Sequence, residues 1–106
     1  MLRIRVAAAQ VNLVVGDLDG NLDRMRTAYA AATAAGADLV VMPELTVTGY
    51  PPEDLLLKPA FLAHARTVLD AFAASTGDVV AVVGYPEQEG RLLRNAAAVC
   101  VGGAVI

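Results

Sequence analysis

The sequence predicts an α/β fold, and three features predict it. Two short, continuous, β-branched runs, Leu39-Val40-Val41-Met42 and Val79 to Gly84, have the length and composition of buried, parallel strands. Each follows a longer segment whose apolar residues recur three to four positions apart, the period of a helix with one buried face. The elements succeed one another in the order β-α-β-loop-α-β-β, with no internal repeat and no low-complexity stretch.

Taken in order, the apolar stretch Ile4 to Val14 reads as the first strand, with Arg3 and Arg5 on the face opposite Ile4 and Val6. Gly16-Asp17-Leu18-Asp19-Gly20-Asn21 gathers turn and N-cap residues. A helix follows and ends near Gly36, with Leu22, Met25, Tyr29 and Ala32 as its apolar stripe and Asp23, Arg24, Arg26 and Thr27 on the wet side. Gly36 suits the position after a helix, where left-handed backbone carries no Cβ penalty. The second strand, Leu39 to Met42, stops at Pro43. Glu44 to Pro59, stiffened by Pro51, Pro52 and Pro59, is a long loop with one helical turn at Asp54 to Leu57. A second helix spans about Ala60 to Ser75 and buries Phe61, Ala65, Val68, Leu69 and Phe72. Gly77-Asp78 leads into the strand Val79 to Gly84, Tyr85 to Gly90 forms a polar turn, and Leu92 to Val101 is the next strand. Gly102-Gly103 signals a hairpin. Only Ala104, Val105 and Ile106 follow it, whereas a strand usually has about 5–6 residues, so the pattern predicts a chain that stops in mid-structure.

Composition narrows the function classes. The chain has 106 residues, 57% hydrophobic and 18% charged, which allows one domain and excludes disorder. No apolar run reaches the roughly 18 residues of a membrane span, and no secretory leader pattern opens the chain. A net charge of −3 leaves no basic footprint for nucleic acid. One cysteine makes no internal disulfide and no zinc ligand cluster. The expectation is a cytoplasmic protein without a metal site.

Chemistry is expected in the long loop, because open α/β sheets bind ligands beyond the carboxyl ends of their strands and long loops in compact domains are usually functional. Glu44 is the first charged residue past the second strand. Its neighbours Met42, Leu45 and Val47 would desolvate the carboxylate and raise its pKa toward the range useful for general acid–base work. The same residue type at a strand end also serves as a solvated glutamate or as a helix-cap acceptor.

The run Val41-Met42-Pro43-Glu44-Leu45-Thr46-Val47-Thr48-Gly49-Tyr50 resembles the glutamate motif of the nitrilase, or carbon–nitrogen hydrolase, superfamily. Ile4 to Asn12, with Ala9-Gln10, is similar to that superfamily's first strand, and Gly16-Asp17, Asn21, Val83-Gly84-Tyr85-Pro86 and Asn95-Ala96-Ala97 fit its later landmarks. Gly49-Tyr50-Pro51-Pro52-Glu53-Asp54-Leu55 narrows the resemblance to the glutaminase domain of glutamine-dependent NAD⁺ synthetases. The resemblance spans the chain. It implies an α-β-β-α sandwich of which residues 1–106 are the N-terminal portion, with the helices on one sheet face and a second sheet on the other. It implies a Glu-Lys-Cys triad in which cysteine attacks the glutamine carboxamide, lysine steadies the oxyanion and glutamate handles protons. Ammonia would then amidate adenylylated nicotinate adenine dinucleotide in a synthetase domain that uses ATP and Mg²⁺. This segment itself would hold no cofactor, and the full-length enzyme would be a homo-oligomer.

Only the glutamate carries over, as Glu44. Lys58, in Leu57-Lys58-Pro59, lies outside the family's lysine setting and reads as solvated near the second helix start. Cys100, in Ala-Ala-Ala-Val-Cys-Val, has no basic neighbour and reads as buried rather than nucleophilic. Tyr50 either lines the glutamine pocket or packs under the Pro-rich loop. Glu53 and Asp54 are expected to cap the turn at Leu55, His64 to be solvated without an Asp partner at useful spacing, and Gly102-Gly103 to be a turn rather than a phosphate loop. Two other readings stand beside the synthetase: a stand-alone amidase of the same superfamily, and a non-catalytic α/β binding module.

Overall fold

A computed structural model describes residues 2–106. Its strands form one five-stranded sheet in the order β1-β2-β3-β4-β5, where β1 is Val6–Ala8, β2 Leu39–Val41, β3 Val80–Glu89, β4 Leu92–Val101 and β5 Ala104–Val105. The first two pairings are parallel and the last two antiparallel. The expected order holds, with α1 (Leu18–Ala34) between β1 and β2 and α2 (Pro59–Ala74) between β2 and β3.

Register divides the sheet into two faces. Ala7, Val40, Ala81, Cys100 and Val105 stand in one row, and Val83 and Ala98 continue the same face. Both helices pack there: Met25, Tyr29, Val68, Leu69 and Phe72 share one core cluster with Val40, Ala81, Val83 and Cys100. Tyr29 meets Phe72 edge to face at 5.8 Å. Its hydroxyl donates to the Val79 carbonyl at 2.7 Å and accepts from the Gly77 amide at 2.9 Å, so the ring is buried with its polar tip satisfied. The opposite face carries Val6, Ala8, Val41, Val82, Val99, Gly84 and Ala97, and among the described residues no helix packs on it.

The elements differ from the sequence expectations at four places. The first strand is only Val6–Ala8, although apolar alternation continues to Val14. The Ala9 amide makes the last bond to Val41; Met42 turns its amide to Val82 and Pro43 has none, so β2 offers no further ladder. The first helix begins a turn early, capped by Asp17, whose carboxylate accepts from the Gly20 amide at 3.1 Å. Its buried stripe is therefore Leu18, Asn21, Met25, Tyr29 and Ala32, with Leu22 at the margin. On α2 the buried series includes Leu62, while Phe61 is only partly covered. Tyr85 to Glu89 is strand rather than turn, and the reversal is confined to Gly90 and Arg91. Pro86 is tolerated because alternate residues of β3 face β2: Val82 and Gly84 accept bonds from Met42 and Val47. Pro86 falls on that side beyond the end of β2, where no ladder bond is lost.

Candidate active site

Past β2 the chain turns sharply and crosses the open face of the sheet over Gly84. A Cβ at Gly84 would stand 2.4 Å from the Leu45 nitrogen and 2.7 Å from the Pro43 oxygen, so only glycine lets the Pro43–Leu45 backbone lie this close. Leu45 takes a left-handed φ of 49°, and the reversal is held by its own threonines. The Thr46 hydroxyl donates to the Pro43 carbonyl, and Thr48 donates to Leu45 at 3.3 Å and Gly49 at 2.9 Å. Both threonines are 0% exposed, as befits hydroxyls whose bonds are all internal. The Val47 amide reaches the Gly84 carbonyl at 3.3 Å and fastens the turn to the sheet.

The far end of the turn is tied to the segment that precedes α1. Gly16 donates its amide to the Thr48 carbonyl at 2.9 Å. A Cβ on Gly49, whose φ is 77°, would come within 2.8 Å of the Val15 backbone. Asn21 binds Val14 and Val47 together from inside the helix.

This framework presents Glu44 outward. Its side chain borders an open depression of about 240 Å³ shared with Met42, Pro43, Val82, Gly84 and Asn95. A second depression, of about 340 Å³, lies between Pro43, Glu44 and Tyr50. The expected desolvation of Glu44 by its neighbours is corrected: Met42, Leu45 and Val47 are buried, whereas Glu44 is exposed. The reversal at Leu45, with φ of 49°, sends the residues from Leu45 to Gly49 into the chain's own packing and leaves the carboxylate facing out. Tyr50 is 67% exposed beside Glu44, so it borders the depression and does not pack under the loop.

The other titratable groups lie elsewhere. Lys58 is exposed at the start of α2 and borders neither depression at Glu44. Cys100 is 0% exposed on the helix-covered face, opposite the face that the Glu44 turn crosses. Burial pushes its thiol pKa up, Asp70 adds to the rise and Arg66 opposes it, the reverse of an activated nucleophile. His64 does have an acidic partner: packing of α2 on α1 brings Asp19 to 3.0 Å at an exposed site, a pairing invisible in sequence spacing. Glu53 and Asp54 occupy the first turn of a 3-10 helix, Glu53–Leu57, without a side-chain capping bond, which corrects their expected role. Gly102 and Gly103, with φ of 62° and 88°, form the β4–β5 turn. Among the described residues no cluster of three or more His, Cys, Asp or Glu could hold a metal ion, and no helix is long and apolar enough to cross a membrane.

Sequence reasoning singled out Glu44 but not what holds it. In the sequence Asn21 falls in the N-cap cluster and Gly84 at a strand end, both among the superfamily landmarks, and Thr46 and Thr48 fall in the glutamate motif, none with a role in holding Glu44. The available signal was a polar residue in register with Leu18, Met25 and Tyr29 on the helix's apolar stripe.

The geometry has counterparts in known proteins. The carbon–nitrogen hydrolase family model matches residues 5–103. The glutamine-dependent NAD(+) synthetase of Xanthomonas campestris pv. campestris (strain 8004) is 47% identical over 103 residues, which are 96% of this chain and 19% of that protein. This chain thus spans about a fifth of the length of the curated relatives it matches. The structure of glutamine-dependent NAD+ synthetase from Acinetobacter baumannii in complex with ADP superimposes with a TM-score of 0.90 at 36% identity, over 97% of this chain and 20% of that one. A variant of the amidase from Nesterenkonia sp. AN1, with acrylamide added to its active-site cysteine, gives a TM-score of 0.81 at 28% identity, over 98% of this chain and 42% of that one. With the family model matching all but a few residues at either end, the chain belongs to the carbon–nitrogen hydrolases.

Proposed function

We propose that this chain is the N-terminal part of the glutaminase domain of a glutamine-dependent NAD⁺ synthetase, and that Glu44 is its proton-transferring residue. The observation that carries the reading is the construction around Glu44: a turn locked to the sheet over Gly84 holds one carboxylate over the open face, beside a depression. The 47% identity to a synthetase over 96% of the chain supports the parent activity.

In the proposed reaction a cysteine thiol gives its proton to the Glu44 carboxylate and the sulfur attacks the glutamine carboxamide carbon. A lysine stabilises the oxyanion. The C–N bond breaks as Glu44 returns the proton to the leaving nitrogen, which departs as ammonia. Water then cleaves the thioester to glutamate, with Glu44 again moving the proton. Neither Lys58 nor Cys100 fits the partner roles, so both partners belong to sequence outside these 106 residues, and the 106-residue chain alone would be inactive. Tyr50 is proposed to border bound glutamine from the Pro43 side.

The reading gives this segment no cofactor of its own; the amidation that its ammonia would feed uses ATP and Mg²⁺. They are assigned to a synthetase domain that amidates nicotinate adenine dinucleotide. A cytoplasmic location and a homo-oligomeric full-length enzyme complete the reading.

The test is Glu44→Gln in the full-length enzyme. Gln keeps the shape but cannot accept and return a proton. Glutamine-driven NAD⁺ formation should fall by about 10²–10⁴-fold, while free ammonia should still support synthesis. A loss below threefold would return Glu44 to a solvated role, and equal loss with both nitrogen sources would make it a residue of folding or domain docking. Amide hydrolysis that needs neither ATP nor dinucleotide, with no NAD⁺ formed, would favour the stand-alone amidase.

A further inference from the structure

Asn21 is the one fully buried polar side chain on the apolar stripe of α1, at 0% exposure. Its carboxamide is saturated. The oxygen accepts from the Val14 amide at 2.9 Å and from Arg24 Nη1 at 3.1 Å. The nitrogen donates to the Val14 carbonyl at 2.9 Å and the Val47 carbonyl at 3.1 Å. An amide has two donors and two acceptor lone pairs, and all four are used here. Packing alone would be served by a leucine, which carries no desolvation cost.

The bond to Val47 is the informative one. Val47 lies three residues beyond Glu44, and its own amide is bonded to Gly84. That residue is therefore pinned by the sheet through its N–H and by the helix through its C=O. Between Val47 and Glu44 the turn is rigid, because Thr46 closes on Pro43 and Thr48 on Leu45. Arg24 bridges the Asn21 oxygen and Asp17, at 3.1 Å to each, which sets the direction the amide faces.

We propose that Asn21 is a positioning residue for glutamine hydrolysis, fixing the Glu44 turn to the first helix so that the carboxylate meets the reacting atoms in line. This rests on the reading of Glu44 given above. Misplacement of a reacting group by about 1 Å can cost about 10²-fold in rate, and loss of the Val47 bond is the change that frees the turn.

Asn21→Asp in the full-length enzyme isolates that bond. An ionised aspartate keeps both acceptor roles but turns lone pairs on the Val14 and Val47 carbonyls; a protonated one can donate to one of them. Glutamine-driven kcat should fall roughly 10–100-fold at pH 8, with KM for glutamine within about threefold. The ratio to the parent enzyme should recover as pH is lowered, and ammonia-driven synthesis should be unchanged. Combined with Glu44→Gln, Asn21→Asp should add no further loss, since a residue acting through Glu44 has nothing left to position. A kcat within twofold of the parent at every pH, an additive loss in the double variant, or parallel loss of ammonia-driven synthesis would each overturn the proposal. If Asn21→Asp does not fold, Asn21→Ser takes its place, and failure of both makes the residue a folding determinant and overturns the proposal equally. Glu44→Gln alone reports separately on the underlying reading: full activity there removes it whatever Asn21 does.

Discussion

On the helix-covered face of the sheet Val40, Ala81, Val83 and Cys100 are all 0% exposed; on the opposite face Val41, next to Val40 on β2, is 39% exposed and Val6, on β1, is 53% exposed. The two faces are equally apolar in composition, and only one is covered within this chain. Strands buried on both faces read as continuous β-branched runs, and that is how these strands read. The residues of the open face are thus suited to a second layer, in keeping with the sandwich of the family. The difference also explains where the site lies. The covered face is filled by aromatic and aliphatic side chains of two helices, whereas the open face has room for a backbone turn to cross at Gly84 and present Glu44.

The largest effect is expected on the covered face. Phe72 is 0% exposed, stacks edge to face on Tyr29 and lies in the cluster that joins both helices to the sheet. Phe72→Ala should cost about 3–5 kcal/mol through lost burial and a residual cavity. A small domain has about 5–15 kcal/mol in all, so the urea midpoint should collapse. A loss below about 1 kcal/mol would show that the helices are not anchored through this ring and would erase the contrast between the faces.

A smaller effect, on the open face, separates the crossing turn from the rest of that surface. Gly84 and Ala97 are register partners there. Gly84→Ala drives a methyl into the Pro43–Leu45 backbone and should cost about 1–3 kcal/mol, as overpacking does. Ala97→Ser, at an exposed position, should stay within about 0.5 kcal/mol. Equal, small effects in chemical denaturation would mean that the turn can lift off the sheet, and Glu44 would lose its support.

Much of this was legible before the structure. The strand Leu39–Val41 and both helices carry local signals, a β-branched run ended by Pro43 and apolar periods ended by Gly36 and Ser75. Glu44 was legible as the first charge beyond a buried strand. What escaped were features decided by pairing partners distant in sequence. Gln10 to Val14 alternates like a strand, yet β2 has already ended beside it. Tyr85 to Glu89 looks like a turn, yet β4 pairs it residue by residue. His64 shows no acidic neighbour in sequence, yet Asp19 arrives from another helix. Asn21 was legible as a capping residue type and a family landmark but not as a tie to the Glu44 turn, because that tie depends on Val47, which the fold brings to it.

The smallest effect tests the comparison most directly. Val40 and Val41 are adjacent, of the same type and on the same short strand, and differ in which face they point to. Val→Thr keeps the β-branched shape and replaces a methyl by a hydroxyl. At Val40, 0% exposed, the hydroxyl enters the core with no designed partner and should cost about 1–3 kcal/mol. At Val41, 39% exposed, water satisfies it and the change should stay within about 0.5 kcal/mol. The measurement is the urea midpoint of the 106-residue chain, run beside the same pair in the full-length enzyme. If a second layer covers the open face there, Val41→Thr should rise toward the cost of Val40→Thr, while Val40→Thr should hardly change. Equal costs in the 106-residue chain would mean that its open face is already covered, as it would be if two copies paired through it, and sedimentation of the parent chain would show that dimer. A Val41→Thr cost that stays small in the full-length enzyme would instead leave Val41 in contact with water, and the second layer would have to sit elsewhere on the sheet.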